Sequence, residues 1–226
     1  MNRTVLVTGG TVRIGLAIAE RLRAAGWRVI VSSHRADVGA DVVEDLSRPM
    51  GAARLYAAVM RLLGGVPPDA IVNNAALFVG DDVAVRTVGF DAPQKLTMLM
   101  AGREVAGRGA VVNVLDSRVL QRDADVGGRC PAYMSAKRDL LSYTKKAAML
   151  FADTLRVNAV APGPVLPPAG VREKAGETPV GRPTPDDVAK AVEFLLDAEA
   201  TTGCVIPVDG GQSLLEELEC ASPEVV

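Results

Sequence analysis

The sequence predicts an α/β fold: a single-domain, doubly wound parallel sheet of about seven strands with helices on both faces. Three observations carry this prediction. Short apolar runs alternate along the chain with longer segments whose apolar residues recur at helical spacing. Several of these runs are continuous, as expected of strands buried on both faces. Polar or glycine residues follow the runs, at the sheet edge where ligands bind in such folds.

The composition excludes several classes of protein. The 226 residues are 49% hydrophobic and 23% charged, as in a globular protein with one sizeable core. A net charge of −2 gives no reason to expect nucleic acid or an anionic membrane as a partner. No apolar run is long enough to span a bilayer, and no signal peptide is visible. The three scattered cysteines favour a cytoplasmic protein without a disulfide framework or a metal site.

The first half of the chain is predicted to contain four strands and two helices. Glycine follows the first strand and the first helix, and a proline opens the second helix, all common boundary signals. No full helix fits between the second and third strands. The strands are Thr4–Thr8, Trp27–Val31, Asp41–Asp45 and Ala70–Asn73, and the helices are Arg13–Ala25 and Pro49–Leu63.

The second half continues the alternation. We expect a loop at 78–88 and helices at 91–106, Pro131–Phe151 and Pro185–Ala198, the last opened by Thr184 with acidic residues in its first turn. Strands are expected at 111–114, Thr154–Ala159 and Cys204–Val208, with a proline-rich loop at 161–170. Residues 1–211 would form the domain, and 212–226 an acidic, exposed C-terminal tail.

The segment Thr8–Gly15 (TGGTVRIG) follows a strand and opens a helix. Gly9 permits a tight turn, and Gly15 lets the helix pack closely on the sheet. The free N–H groups of a helix start favour a phosphate, so the segment is a candidate dinucleotide cradle. A glycine turn that binds no ligand is the alternative, since isolated glycine motifs are weak signals.

The end of the second strand bears on which dinucleotide is bound. A free ribose 2′-hydroxyl is usually held there by Asp or Glu, whereas this chain has His34 and Arg35. Arg35 suits a 2′-phosphate through charge-assisted hydrogen bonds, which favours NADPH over NADH. Two alternatives stay open: His34 and Arg35 belong to a solvated turn, or Asp37 nearby binds a ribose hydroxyl.

Three polar side chains are predicted to converge at the carboxyl end of the fifth strand. Asp116 follows that strand, and Tyr133 and Lys137 lie four residues apart, on one face of the next helix. A carboxylate, a phenol and an amine would then meet above the sheet. The alternatives are an ordinary surface pair for Tyr133 and Lys137 and a turn or capping role for Asp116.

Six motifs, in order and in context, resemble the short-chain dehydrogenase/reductase family. They cover nearly the whole chain: TGGTVRIG (8–15), Asp45-Leu46, NNAA (73–76), YMSAK (133–137), RVNAVAPGPV (156–165) and VDGG (208–211). The resemblance implies a Rossmann-type sheet and a homotetramer or homodimer. Three residues depart from the common pattern: Arg13 replaces Gly, Asp116 replaces the catalytic Ser, and Gly89 stands where many members have an Asn that feeds a water relay to Lys137.

Arg13 and Asp116 together look like the pteridine reductase and dihydromonapterin reductase branch of that family. Phe78 matches the aromatic that stacks on the pterin ring in this branch, although simple loop packing is the alternative. The resemblance implies NADPH as cofactor. The implied cofactor-binding residues are Gly9, Thr11, Arg13, Ile14, His34, Arg35, Asp45, Leu46, Asn74, Ala75, Tyr133, Lys137, Pro162, Gly163 and Val165. For Asn74, a purely structural role in the turn is the alternative.

The implied reaction is hydride transfer to a ring C=N bond of a pterin or dihydropterin. Tyr133 would donate the proton, and Lys137 would hold the nicotinamide ribose and lower the pKa of the phenol. Asp116 would orient Tyr133, and Phe78, Asp116 and Tyr133 would bind the substrate. An ionised carboxylate accepts hydrogen bonds from pterin N–H groups but repels a developing alkoxide. The alternatives are an NADPH-dependent reductase of ketones or 3-oxoacyl esters and a non-catalytic dinucleotide-binding protein.

Overall fold

Seven parallel strands form one sheet in the order β3-β2-β1-β4-β5-β6-β7. The computed structural model describes residues 3–36, 39–78, 80–121, 130–166 and 178–219. The doubly wound fold predicted from the sequence is confirmed. The strands are β1 (Thr4–Thr8), β2 (Arg28–Ser33), β3 (Val42–Val43), β4 (Ala70–Asn73), β5 (Gly109–Val114), β6 (Leu155–Pro162) and β7 (Val205–Val208).

Helices cover both faces of the sheet, because successive strand residues point to opposite sides. Val5 and Val7 of β1 pack in a core with the first and sixth helices, whereas Leu6 between them packs in a second core on the other face. The helices are α1 (Arg13–Ala24), α2 (Gly51–Leu62), α3 (Asp82–Arg86), α4 (Ala92–Ala101), α5 (Pro131–Leu150), α6 (Pro185–Asp197) and α7 (Gln212–Glu219).

The strand order places a topological switch point between β1 and β4. The chain moves outward from β1 to β3 and then returns to the other side of β1, so connections leave these two strands in opposite directions. Ligands bind outside the carboxyl ends of the strands at such a point. The residues after β1 and β4 therefore line the expected crevice.

The predicted loop at 78–88 is wrong over most of its length. Asp81 caps α3 by accepting a hydrogen bond from the Val83 N–H at 3.3 Å, and a π-helical turn at Thr87–Asp91 joins α3 to α4. Arg86 in α3 pairs with Asp139 of α5 at 2.6 Å. This short helix is held by a tertiary contact, which a search for long periodic segments does not detect.

The inner strand β6 and the edge strand β3 also differ in length from the sequence-based expectation. β6 continues to Pro162 instead of ending at Ala159, because it lies between β5 and β7 and pairs with both. β3 keeps only Val42 and Val43, because it is the edge strand and pairs with β2 alone.

The segment predicted as a tail begins with a helix, α7, whose first residue follows Gly211. Residues 220–226 lie outside the described residues, and the domain boundary at 211 stays a prediction. Among the described helices, none has the length and apolar composition needed to cross a membrane.

Candidate active site

The glycine loop after β1 is packed too tightly for side chains at two of its positions. Gly9 has φ +63°, a left-handed conformation that favours glycine. A Cβ on Gly15 would lie 2.2 Å from the Gly9 carbonyl oxygen and 2.5 Å from Asn74 Nδ2. The loop therefore turns sharply and the first turn of α1 lies directly against it, which keeps backbone N–H groups together at a helix start.

Hydrogen bonds tie this loop to the end of β4. Asn74 Nδ2 donates to the Thr8 carbonyl at 2.9 Å and to the Gly9 carbonyl at 3.2 Å. Thr8 Oγ1 accepts from the backbone N–H groups of Asn74 and Ala75, both at 3.0 Å. The Asn74 side chain thus supports the loop that was predicted to hold the cofactor, which is the structural role left open for it.

Arg13 is the first residue of α1 and has φ +55°, a conformation that non-glycine residues seldom adopt. Strain of this kind concentrates at functional sites. The Arg13 side chain is exposed, and those of Thr11 and Ile14 on either side are half-buried. All three lie at the mouth of the crevice between β1 and β4.

His34 and Arg35 directly follow β2 and are exposed at the same edge of the sheet. The Arg35 backbone N–H donates to Ser33 Oγ at 3.0 Å, so the turn is fixed by the preceding strand residue. This is the turn that the sequence predicts to hold a 2′-phosphate. Asp37, the competing residue, lies outside the described residues.

Asp45 and Leu46 are less available to a ligand than the sequence motif implied. The Asp45 carboxylate accepts from Ser47 N at 2.9 Å, from Ser47 Oγ at 2.6 Å and from Arg48 Nε at 3.3 Å. The Ser47 hydroxyl, more than its N–H or Arg48, lowers the pKa of Asp45. Leu46 is buried in the core, so only its backbone is available to contact a cofactor.

The end of β6 forms the far wall of the crevice. Pro162 is the last strand residue, and the Gly163 N–H donates to the Val208 carbonyl at 3.0 Å. A Cβ on Gly163 would lie 2.7 Å from Asp209 Cβ, so this position requires close backbone approach. Val165 is buried and donates its N–H to the Gly163 carbonyl at 2.8 Å. Residues 167–177 lie outside the described residues.

The structure brings the three predicted catalytic residues together. The Tyr133 hydroxyl donates to Asp116 Oδ2 at 3.2 Å. Lys137, one turn along α5, is 2% exposed and donates from Nζ to the Val114 carbonyl at 2.6 Å. Pro131 begins α5, as predicted, and places Tyr133 in its first turn beside the end of β5.

Burial shifts the pKa of both Tyr133 and Lys137. The pKa of Tyr133 lies well above its usual value, because the phenol is buried and faces the Asp116 carboxylate. Burial lowers the pKa of Lys137 from 10.5 to about 8, opposed by Asp116. The sequence predicted that the Lys137 ammonium would lower the pKa of the phenol; the net shift is upward, because burial and Asp116 dominate it. Tyr133 therefore keeps its proton at neutral pH, as a proton donor requires.

Phe78 lies beside Tyr133 in the structure. The two ring centroids are 5.1 Å apart with an interplanar angle of 64°, an edge-to-face contact. Phe78 is half-buried, so part of its ring is accessible to a flat ligand. This contact supports both interpretations of Phe78, because it packs on the loop and also adjoins the proton donor.

Gly89, which stands where many family members have Asn, lies in the π-helical turn before α4. A Cβ at Gly89 would lie 3.1 Å from the Cβ of Ala136 on α5, between the turns that carry Tyr133 and Lys137. The missing side chain lets the π-helical turn approach α5 closely. The absence of the Asn side chain that the family resemblance led us to expect at this position is accompanied by close packing against α5.

Arg118 is the site residue that sequence reasoning missed. Its Nε donates to Asp116 Oδ1 at 2.9 Å, and its Nη2 donates to Oδ2 at 2.8 Å. The guanidinium carbon lies 5.9 Å from the ring centroid of Phe78 and 6.0 Å from that of Tyr133. An arginine two residues after the carboxylate was the available signal, but its direction depends on the 3₁₀ turn at Ser117–Leu120, which Asp116 caps.

These observations fit a dinucleotide at the carboxyl edge of the sheet. Three features lie around the switch point: the glycine loop, the basic turn after β2 and the end of β6. The buried Lys137 ammonium lies at the end of β5, which we call the inner end of the crevice. The Asp116–Tyr133 pair and Phe78 lie next to that ammonium. The arrangement can bind a nucleotide cofactor along the strand ends and supply a proton at its inner end.

Comparison with known proteins identifies the family. A family profile described as enoyl-(acyl carrier protein) reductase matches residues 11–213. The chain is 32% identical to the uncharacterized oxidoreductase YmfI of Bacillus subtilis, over 93% of this chain and 99% of that protein. It is 29% identical to the 3-oxoacyl-[acyl-carrier-protein] reductase FabG of Aquifex aeolicus, over 93% and 97% of the two chains.

A solved structure of FolM alternative dihydrofolate reductase 1 from Brucella canis, complexed with NADP, is also similar. The two chains share 29% identity with a TM-score of 0.82, over 100% of this chain and 98% of that one. The match therefore includes the crevice as well as the sheet. The chain belongs to the short-chain dehydrogenase/reductase family of NAD(P)-dependent oxidoreductases.

Proposed function

We propose that this protein is an NADPH-dependent reductase of pterins or dihydropterins. The observation that carries the proposal is the contact of Tyr133 with both Asp116 and Phe78 at the inner end of the crevice. A carboxylate accepts hydrogen bonds from ring N–H groups, and an aromatic ring stacks on a flat heterocycle. The similar FolM structure, an alternative dihydrofolate reductase, supports the same substrate class.

NADPH supplies the hydride when it is bound. His34 and Arg35 would hold its 2′-phosphate, and the N–H groups around Gly9, Thr11 and Arg13 would bind its pyrophosphate. Lys137 would hold the nicotinamide ribose by turning its ammonium from the Val114 carbonyl toward the hydroxyls. The NADP bound to the similar FolM structure supports this assignment.

Reduction of a ring C=N bond adds a hydride to the carbon and a proton to the nitrogen. Tyr133 Oη would donate that proton, and its raised pKa keeps the donor protonated until the substrate nitrogen accepts. Asp116 would orient the phenol and accept a hydrogen bond from the heterocycle. Phe78 would hold the ring in plane beside Tyr133.

The test is NADPH oxidation, followed by absorbance, with a dihydropterin, dihydrofolate and a small oxoester in parallel. We expect turnover of the dihydropterin or dihydrofolate, and loss of that turnover in Asp116→Ala and Tyr133→Phe with cofactor binding retained. Turnover of the oxoester alone would contradict the proposal. NADPH binding without turnover of any of the three would favour a non-catalytic dinucleotide-binding protein.

Reduction of a ketone or 3-oxoacyl ester is the second candidate. Arg118 favours it, because its guanidinium balances the Asp116 charge that would otherwise repel a developing alkoxide. The relationship to the 3-oxoacyl reductase of Aquifex aeolicus points the same way. In either case we propose a homotetramer or homodimer, as is usual in the family, which sedimentation of the purified protein would test.

A further inference from the structure

The contact between Arg118 and Asp116 is a fork of hydrogen bonds. Arg118 Nε and Nη2 each donate to a different carboxylate oxygen, at 2.9 and 2.8 Å, and the Arg118 backbone N–H donates to Oδ1 at 3.1 Å. Paired charge-assisted hydrogen bonds fix the plane of a carboxylate as well as its position. The Asp116 carboxylate therefore has one defined orientation.

That orientation is the one that reaches the phenol. Oδ2, which accepts from Arg118 Nη2, also accepts from the Tyr133 hydroxyl at 3.2 Å. The terminal torsion of an aspartate has broad minima, so the carboxylate alone would not select this rotation. The hydrogen bonds from Arg118 select this rotation, because turning the carboxylate away from Tyr133 would break both side-chain bonds to Arg118.

Arg118 is the more exposed partner of this pair. The Asp116 side chain is 16% exposed, whereas that of Arg118 is 44% exposed. Its guanidinium carbon lies about equally far from the rings of Phe78 and Tyr133, at 5.9 and 6.0 Å. These distances are within the range of cation–π attraction, which holds the guanidinium over the aromatic pair.

We propose that Arg118 is a positioning residue: it holds the Asp116 carboxylate in the rotation that contacts Tyr133 and so keeps the proton donor aligned for reduction. The proposal rests on the proposed function, because that function makes Tyr133 the donor. Arg118 acts through Asp116 rather than by touching the reacting atoms.

The structural test uses crystal structures of Arg118→Ala and of a matched control, Arg86→Ala. Arg86 also pairs with a carboxylate, that of Asp139 at 2.6 Å, and lies 4.9 Å from the ring centroid of Phe90. Its side chain is 46% exposed, close to the 44% of Arg118. We expect the Asp116–Tyr133 hydrogen bond to be lost in Arg118→Ala and kept in Arg86→Ala.

The kinetic test is a double-mutant cycle between positions 116 and 118. Arg118→Ala should lower kcat by about 10- to 100-fold, the size of effect expected when a catalytic group is misplaced. The KM for NADPH and the melting temperature should stay close to those of the wild type. Arg118→Lys should recover part of the loss, because it keeps the charge without the fork. The double variant Asp116→Ala/Arg118→Ala should be no slower than Asp116→Ala alone.

Additive losses in the cycle would overturn the proposal, and so would an Asp116–Tyr133 contact that survives in Arg118→Ala. A higher substrate KM with unchanged kcat would also overturn it, since Arg118 would then bind substrate directly. The crystal structures separate this proposal from the proposed function. Suppose that Arg118→Ala loses the Asp116–Tyr133 hydrogen bond but the wild-type protein reduces none of the three substrates. The proposed reductase function is then wrong, whereas the positioning role of Arg118 stands.

Discussion

The glycine loop after β1 and the catalytic edge after β5 are separated by β4 in the sheet, and they are built from different groups. The loop depends on backbone: Gly9 and Gly15 permit its turn and packing, and Asn74 bonds to carbonyls. The catalytic edge depends on side chains brought from different segments, including Asp116 and Tyr133.

This difference predicts how each half of the site responds to substitution. In the loop, an added methyl group meets backbone atoms that must move, so geometry and cofactor affinity should change together. At the catalytic edge, a lost hydroxyl or carboxylate leaves the backbone in place, so the chemical step should fail while the cofactor still binds. Four predictions test this division.

The largest expected effect is at the catalytic edge. Tyr133→Phe keeps the ring that contacts Phe78 and removes only the hydroxyl that donates to Asp116. We expect kcat to fall by about 10²- to 10⁴-fold, the usual contribution of a positioned proton donor. The KM for NADPH should change little. A fall in NADPH affinity as large as the fall in kcat would remove the distinction between the two halves.

In the loop, Gly15→Ala should act mainly on the cofactor. Its Cβ would lie 2.2 Å from the Gly9 carbonyl oxygen, so the loop must shift. A cost of about 1–3 kcal/mol in cofactor affinity corresponds to roughly 5- to 150-fold weaker NADPH binding. Gly102→Ala is the matched control, because its Cβ would meet nothing nearer than a carbonyl oxygen at 3.6 Å. Fluorescence titration with NADPH measures both; equal affinities would show that the loop does not bind the cofactor.

Arg35→Ala tests the basic turn after β2. Losing charge-assisted hydrogen bonds to a 2′-phosphate should raise the KM for NADPH by about tenfold and leave that for NADH unchanged. Steady-state kinetics with both cofactors measure the ratio, and the melting temperature shows whether the turn itself is disturbed. Equal changes for the two cofactors would exclude the 2′-phosphate assignment.

The smallest expected effect is a pH dependence from Lys137. Because burial lowers its pKa to about 8, its ammonium is charged below pH 8 and loses its proton as the pH rises. If the Lys137 charge is needed to hold the nicotinamide ribose, kcat/KM for NADPH should fall about tenfold per pH unit above about pH 8. Lys137→Arg should be slower but lack this limb, since guanidinium stays charged. An unchanged limb in that variant would assign it to another group.

Much of the fold was predictable from the sequence, because continuous apolar runs and helical periodicity are local patterns. The strands and the five predicted helices overlap the elements of the folded chain, and β4 and α5 agree most closely. The spacing of Tyr133 and Lys137 fixed their common helix face without knowledge of the rest of the chain. The tight turn and close packing at the loop glycines could also be predicted, since glycine marks where a side chain does not fit.

Other features depended on contacts between distant segments. The sequence alone was enough to single out Asp116, Tyr133 and Lys137. Their protonation depends on the folded structure, because burial raises the pKa of Tyr133 and lowers that of Lys137. The folded structure also decided that Arg118 turns back onto Asp116, through a 3₁₀ turn, and that α3 forms against α5. Periodicity reports which face of an element is apolar, whereas orientation and desolvation arise only when separate elements enclose the same space.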